Sequence, residues 1–446
     1  MKTFKSLFSM MAVALMAASC SNDISDVQVP EQIAKDGTIH FTATLAPKTF
    51  DATTRALTES GGTLLSKWEK DEEIEIRYKI TGGTYEGKAT VTKVDEETGA
   101  ATIEADLSNA TDGTSVEFFY PYSLRGKKTN PIAEQNGELS SKLDIRKGTG
   151  TINIIDGEAT LTSGLKLAAQ YAIMYLDLHD VNNEDNNLYV HKLTIFNGND
   201  KLVTVTPENK WTSFVYVALP ALNNANINFW AIEGIGGEPL EPPYNTYLAR
   251  GTASLEVGKY YKTEVRFATI GTVIGGNGLY YEDAQMAEKA GTTAEAVIAW
   301  MQNSSIDNNS PVFAVALRDT ENKMNWENAI AGVETWSANH NVPGAQGEWF
   351  LPSATMWMLL FNNEIPVDLP DATGDESVEF SYGTFRELLS NAGGDVQENF
   401  YWTSDKVEGD SADRWAYCFK QPGAQGSGFY NYAGMSTNYV RYALEY

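Results

Sequence analysis

From residue 39 the chain alternates. Ile39, Phe41, Ala43 and Leu45 share one face and His40, Thr42 and Thr44 the other, the period of two that predicts a half-buried strand. Ile74, Ile76 and Tyr78 alternate with Glu75 and Arg77, and Gly82-Gly83 follows as a turn before Thr84-Tyr85 and Ala89-Thr90-Val91. Residues 94–103 read as a hairpin around Asp95-Glu96-Glu97-Thr98-Gly99, and 116–122 as a strand running into Pro121. Helical periodicity is nearly absent across 37–165. Residues 171–178 are almost continuously apolar, as in a strand flanked on both sides. Further strands are predicted at 190–196, 214–219 and 227–232, and a final hairpin at 255–267 turning at Gly258-Lys259. Short strands separated by turn signals predict two β-sandwiches, over 37–165 and 166–268.

The texture changes near residue 269. Thr269, Gly271, Thr272, Gly275, Gly276 and Gly278 have a linker composition, so 269–279 reads as a boundary. Beyond it, 280–446 mixes helix and strand. Residues 283–303 read as helix interrupted near Gly291, and 312–317 as a strand. Trp326, Ile330, Val333 and Trp336 fall on one helical face. Residues 351–360 read as a helix with Pro352 near its first turn, and 385–389 as a helical piece ended by Gly393-Gly394. Strands at 400–403, 415–419 and 439–444 complete an α+β pattern, with a Gly- and Asn-rich loop over 423–438.

Three segments agree with the length of 446 residues, since a domain commonly spans about 100–200. Upstream, Lys2 and Lys5 precede an apolar run from Leu7 to Ala18 that ends in small residues and Cys20. The run is shorter than the roughly 20 residues that cross a bilayer, and it fits a secretory signal over 1–19. Leu15-Met16-Ala17-Ala18-Ser19-Cys20 resembles the lipobox of bacterial lipoproteins. That resemblance makes Cys20 the acylated first residue of the mature chain, followed by a polar tether to residue 36. The formal charge is −26, which disfavours nucleic acid as a partner. With Cys20 lipidated, Cys418 stands alone, so no disulfide framework is available and packing must hold the fold.

A family resemblance rests on Ile39-His40-Phe41, Thr54-Arg55-Ala56, Trp68-Glu69-Lys70-Asp71-Glu72-Glu73-Ile74, Phe119-Tyr120-Pro121-Tyr122 and Val257-Gly258-Lys259-Tyr260-Tyr261, in that order. The chain resembles the fimbrillin-like proteins of type V pili, lipoprotein precursors with two transthyretin-like β-sandwiches. The resemblance implies a surface-exposed outer-membrane lipoprotein or fimbrial subunit. It also implies cleavage between Arg55 and Ala56 by an arginine-specific protease, and partnership with other pilus subunits by strand addition. An uncut surface loop at Arg55 is the alternative.

A second resemblance covers about 275–446. Trp349-Phe350-Leu351-Pro352-Ser353 stands where a W-R-L-P-[ST] motif would, followed by Phe400-Tyr401-Trp402-Thr403-Ser404, Trp415, Phe419 and Tyr439-Val440-Arg441-Tyr442. This resembles the C-type-lectin-like and formylglycine-generating-enzyme-like fold group, with Phe350 departing from the usual arginine. The resemblance implies an α+β C-type-lectin-like domain but not activity, because those enzymes need active-site cysteines and this module has only Cys418. The four histidines have no metal spacing, and no nucleophile or phosphate motif stands in a convincing context. No enzyme and no cofactor is therefore expected. The segment 180–187 lacks the glycine and glutamate of a calcium loop, and Asp368, Asp371, Asp375 and Glu376 read as an acidic loop. Tyr430 and Tyr432 amid Gly, Ser and Asn have the composition of an adaptable binding loop, with Asp410 and Asp413 on a loop beside it. The expectation is an adhesion protein, a tip or accessory pilin whose last module binds a host or microbial glycan or protein. A stand-alone glycan-capturing lipoprotein and a pilus anchor remain as alternatives.

Overall fold

The computed structural model describes residues 37–48, 51–52, 67–125, 131–139, 142–182, 187–209, 212–233, 245–302, 310–360, 378–379, 383–396, 400–406, 415–420, 428–433 and 438–446. The first body contains β1 (Thr38–Leu45), β2 (Asp51–Ala52), β3 (Glu73–Ile80), β4 (Gly83–Val94) and β5 (Ala101–Ser108). β6 (Ser115–Tyr120), β7 (Glu134–Gln135), β8 (Arg146–Ile155), β9 (Glu158–Leu161) and β10 (Ala168–Ala169) follow. Instead of the expected pair of facing sheets, one sheet closes on itself. Its order is β10-β8-β6-β3-β4-β5-β1-β9, and β8 also pairs with β9. The closure comes from a two-residue turn, Asp156-Gly157, with both φ values positive, which folds β9 back on β8 and sets it beside β1. Gly148 on β8 lets the crossing chain approach closely, since a Cβ there would meet the Lys166 carbonyl oxygen at 2.7 Å.

The second body is a sandwich of two sheets. Its strands are β11 (Ala172–Asp180), β12 (Val190–Asn197), β13 (Asp200–Val205), β14 (Phe214–Leu219), β15 (Leu222–Glu233), β16 (Thr246–Leu255) and β17 (Lys259–Phe267). One sheet runs β14-β11-β17-β2 and the other β16-β15-β12-β13-β7, so β2 and β7 cross over from the first body. The apolar strand β11 lies between two neighbours, as its pattern predicts. The hairpin expected at 255–267 is not one. β16 and β17 belong to different sheets, because β17 pairs in parallel with β11 over eight residues. Gly258, at φ 74°, turns the chain between the two layers.

The linker reading of 269–279 gives way to an ordered junction. β18 (Val273–Gly275) is buried, Thr272, Val273 and Ile274 are fully covered, and Gly271 donates its N–H to the Ile298 carbonyl at 2.8 Å. Phe196, Trp230, Leu248 and Ala268 of the second body share one apolar core with Ile274, Trp349, Trp402 and Tyr442 of the third. The third body continues with β19 (Tyr280–Tyr281), α1 (Ala284–Lys289), β20 (Ala294–Met301), β21 (Val312–Ala316), α2 (Trp326–Asn339), β22 (Trp349–Phe350) and α3 (Ala354–Leu360). Then come β23 (Val378–Glu379), α4 (Gly383–Asn391), β24 (Phe400–Lys406), β25 (Trp415–Lys420), β26 (Gly428–Ala433) and β27 (Ala443–Glu445). Its sheets are β19-β18-β20-β21-β27-β22 and β23-β26-β25-β24.

Two helical expectations shift. The stretch 283–303 is a short helix followed by strand β20, whose Val297 and Ile298 are fully buried in the sheet. On α2 the inward residues are Trp326, Ala329, Val333 and Trp336, while Ile330 is 38% exposed. The helix seats closely because Gly332 faces the Tyr442 hydroxyl, 2.6 Å from where a Cβ would stand, and that hydroxyl donates to the Ala329 carbonyl at 2.8 Å.

A buried junction resists proteases that need an extended, accessible chain. Limited digestion of the folded protein with subtilisin is expected to leave 268–275 uncut. Early cleavage there would restore the linker reading.

Candidate assembly site around the closing strand

β1 is the strand that completes the first sheet. It pairs antiparallel with β5 along its full length, Thr38 opposite Ser108 through Leu45 opposite Ala101. On its other side it meets β9 at His40–Glu158 and Phe41–Ala159 only, and Leu165 accepts and donates beside Thr44 and Ala46. The inward residues Ile39, Phe41, Ala43 and Leu45 are all buried, and the Phe41 ring lies 6.2 Å from Phe118. Burying Ile39, Phe41 and Leu45 stabilises by roughly 1.5–3 kcal/mol each. His40 points outward and meets Asp106 at 3.3 Å, on the polar face that alternation predicts.

The chain leaving β1 is held by a buried cation. Lys48 is 6% exposed, and its ammonium donates to both Glu72 carboxylate oxygens and to the Tyr120 hydroxyl, each at 2.9 Å. The Trp68 and Tyr120 rings flank it, both centroids 4.1 Å from Nζ. Trp68 Nε1 donates to the Ala46 carbonyl at 2.9 Å, and Asp144 lies 3.9 Å from the ammonium while bonded to Arg146. Burial lowers the Lys48 pKa, and the Glu72 and Asp144 carboxylates oppose that shift. Trp68, Glu72 and Tyr120 belong to the motifs singled out in sequence, and this cage is what they build. Lys48 belongs to none of those motifs. Its signal was a lone lysine directly after an alternating strand, with no periodic pattern around it.

A second buried charge cluster organises the third body. Arg441 donates to Asp319 at 2.8 Å and to the Asp395 carbonyl at 2.6 Å, and the Tyr401 hydroxyl donates to Asp319 at 2.7 Å. Burial pushes the Asp319 carboxyl up, with Arg441 opposing. Tyr401 and Arg441 are two of the residues that carry the second resemblance, and here both donate to Asp319 inside the fold. His340 ends α2, stacks on Trp336 at 3.8 Å and meets Glu295 at 2.7 Å.

Of the site residues read from sequence, Cys20, Arg55, Ala56, Asp410 and Asp413 lie outside the described residues, as do Asp368, Asp371, Asp375 and Glu376. Tyr430 and Tyr432 do not lie in a loop. They belong to β26, opposite Cys418 and Ala416 of β25, because 428–433 completes a backbone ladder that its glycine- and asparagine-rich composition conceals. Among the described residues, no group of three or more His, Cys, Asp or Glu is placed to hold a metal, and no helix is long and apolar enough to cross a membrane.

The cage makes a stability claim. Removing one partner leaves a buried charge unpaired, which costs about 3–5 kcal/mol when fully buried. Glu72→Ala is expected near the low end, because its side chain keeps 16% exposure. Phe41→Ala is expected to cost about 3–5 kcal/mol. The lowered Lys48 pKa means the unfolded chain holds this proton to higher pH. Stability relative to Lys48→Met should therefore rise as pH approaches the ordinary value of 10.5. Denaturant titrations of the three variants against wild type check all three statements, and a Glu72→Ala change below about 1 kcal/mol would show that the cage is not a structural tie.

No protein-family model matches the chain, and no curated protein matches it. Solved structures similar to it include the following two. A fimbrial protein from Bacteroides ovatus is 10% identical with a TM-score of 0.28, the match covering 92% of this chain and 99% of that one. A fimbrial assembly protein from Parabacteroides distasonis is 11% identical with a TM-score of 0.28, the match covering 51% of this chain and 91% of that one.

Proposed function

We propose that this protein is a cell-surface adhesion subunit that joins other subunits by exchanging β1 for a strand supplied in trans, and that its last module presents the ligand-binding surface. The observation that carries the reading is the position of β1, paired fully on one side and at two residues on the other. Its removal opens the sheet at β5 and β9 and uncovers the core beneath Phe41 and Leu45. Such an opening exposes backbone donors and acceptors that another strand can fill.

The energetics assign separate roles to cutting and exchange. The apolar burial of β1 contributes on the order of 5–9 kcal/mol, an upper estimate, beyond its ladder hydrogen bonds. Cutting after Arg55 leaves β1, Lys48 and β2 on the same fragment, still held by the cage. Cleavage removes the high effective concentration that connection confers, and an incoming strand then completes the displacement. Cys20 is a delivery handle in this scheme, lipidated at the outer membrane and lost with the fragment. The third body suits a terminal position. Its last strand, β27, is paired with both β21 and β22, so it is not a strand available for donation. In this reading the third body is adhesive, and its ligand would be a glycan or protein of host or microbial origin.

Arg55→Ala is expected to leave the protein as a lipidated, unassembled subunit, while wild type appears in surface polymers without residues 20–55. Mass spectrometry of the assembled material reads this directly. Polymers that retain an intact segment from Cys20 past Ala56, or normal assembly of Arg55→Ala, would contradict it.

A further inference from the structure

β11, β14 and β17 alternate between the sandwich core and the outside. Leu176, Val215, Val217 and Val265 point inward. The residues between them form three rows across the outer face. Tyr216, Tyr175 and Lys262 make the first row, Phe214, Asp177 and Glu264 the second, and His179 and Arg266 the third. Neighbouring rows lie about 7 Å apart, two residues along a strand.

The aromatic residues gather at one corner of this face. The Tyr175 and Phe214 rings are inclined by 24° with centroids 5.5 Å apart, and Tyr216 meets Tyr175 edge-on at 5.2 Å. Tyr175 and Tyr216 rest against the apolar cluster that joins the first and second bodies, which holds their rings in place. Phe214 stays 44% exposed. An exposed ring set on fixed aromatic neighbours is a preorganised contact surface.

The charges beside the rings cancel. Asp177 and Glu264 balance Lys262 and Arg266, and each is engaged. Arg266 meets Glu264 at 2.9 Å, His179 meets Asp177 at 3.5 Å, and the Lys262 ammonium lies 4.7 Å from the Tyr175 centroid. The face is therefore neutral, on a chain of formal charge −26. It offers no electrostatic attraction to an ionic partner, and a second copy of so acidic a chain is repelled. An extended peptide finds no backbone ladder on it, because β11 is paired on both sides. The matching ligand is uncharged, with an apolar face for the rings and hydrogen-bonding groups for the row beside them. A pyranose sugar has that form. Its C–H face is weakly positive and suits the negative face of an aromatic ring, and its hydroxyls both donate and accept.

We infer that the outer face of the β14-β11-β17 sheet binds a neutral glycan, with a sugar ring on Phe214 and Tyr175 and its hydroxyls on Asp177 and Glu264. This site lies on the second body, is separate from the surface proposed for the last module, and does not depend on β1 exchange.

The test uses the full-length protein and ligand-observed saturation-transfer NMR. The neutral probes are cellohexaose, maltohexaose and mannohexaose, and the acidic probe is hexagalacturonate. At least one neutral probe is expected to receive saturation on its ring protons, and hexagalacturonate none. Phe214→Ala is expected to weaken that neutral probe by about fivefold. Phe214→Trp, which enlarges the ring at the same exposed position, is expected to keep or tighten it. Binding by none of the neutral probes, equal binding of hexagalacturonate, or insensitivity to Phe214→Ala would overturn the inference. A dimer in sedimentation that Phe214→Ala dissolves would overturn it too, and would make a second copy the occupant of this face.

Discussion

A closed sheet cannot lose a strand without exposing two edges, and β1 is the strand on which closure of the first body depends. It carries four buried side chains into the core and bridges β5 to β9. The asymmetry of its pairing matters as much as its burial. A strand bonded fully on both sides would resist displacement from either edge. β1 is held by β5 along eight residues, and on the β9 side by two paired residues and Leu165. The Lys48 cage compensates at the exit, where rings and carboxylates immobilise a charge that burial would otherwise neutralise. The site is therefore stable while intact and open to attack along one edge.

The three bodies are tied together by exchanged elements. β2 and β7 belong by sequence to the first body and by pairing to the second. Phe119, Leu124 and Ile145 of the first pack with Ile173, Ala218 and Tyr260 of the second. The second and third share a core that includes Ile274. Pulling on one body therefore loads buried apolar contacts rather than a flexible connector.

Much of the strand content was legible in the sequence, because alternation over Ile39–Leu45 and continuity over 171–178 report directly on burial. Topology was not. Whether β16 and β17 form a hairpin or change sheets depends on β11 pairing with β17, a contact 87 residues apart that leaves no local pattern. The junction at 269–279 misled through composition. Gly271 and Gly278 take positive φ at its turns, and the buried run Thr272-Val273-Ile274 between them is too short to display a period. The loop reading of Tyr430 and Tyr432 fails for the same reason, since glycine and asparagine mask a strand whose pairing is set by β25. The α2 face was offset because Ala329 contributes little hydrophobic signal yet faces the core. Lys48 was invisible because charge in sequence reads as exposure, and only the later arrival of Trp68, Glu72 and Tyr120 covers it.

The central claim, that β1 is a replaceable closing strand, is tested most directly by hydrogen exchange at its two neighbours after cutting behind Arg55. Amides of β5 and β9 are compared in the intact chain, in the cut chain, and in the cut chain offered excess peptide of sequence Thr38–Leu45 carrying an isotopic label. The account predicts that cutting alone leaves protection at 101–108 and 158–159 nearly intact, and that labelled peptide then replaces the native strand while protection is kept. Cut protein that never takes up the labelled strand, while an unfolded and refolded sample does, would contradict it.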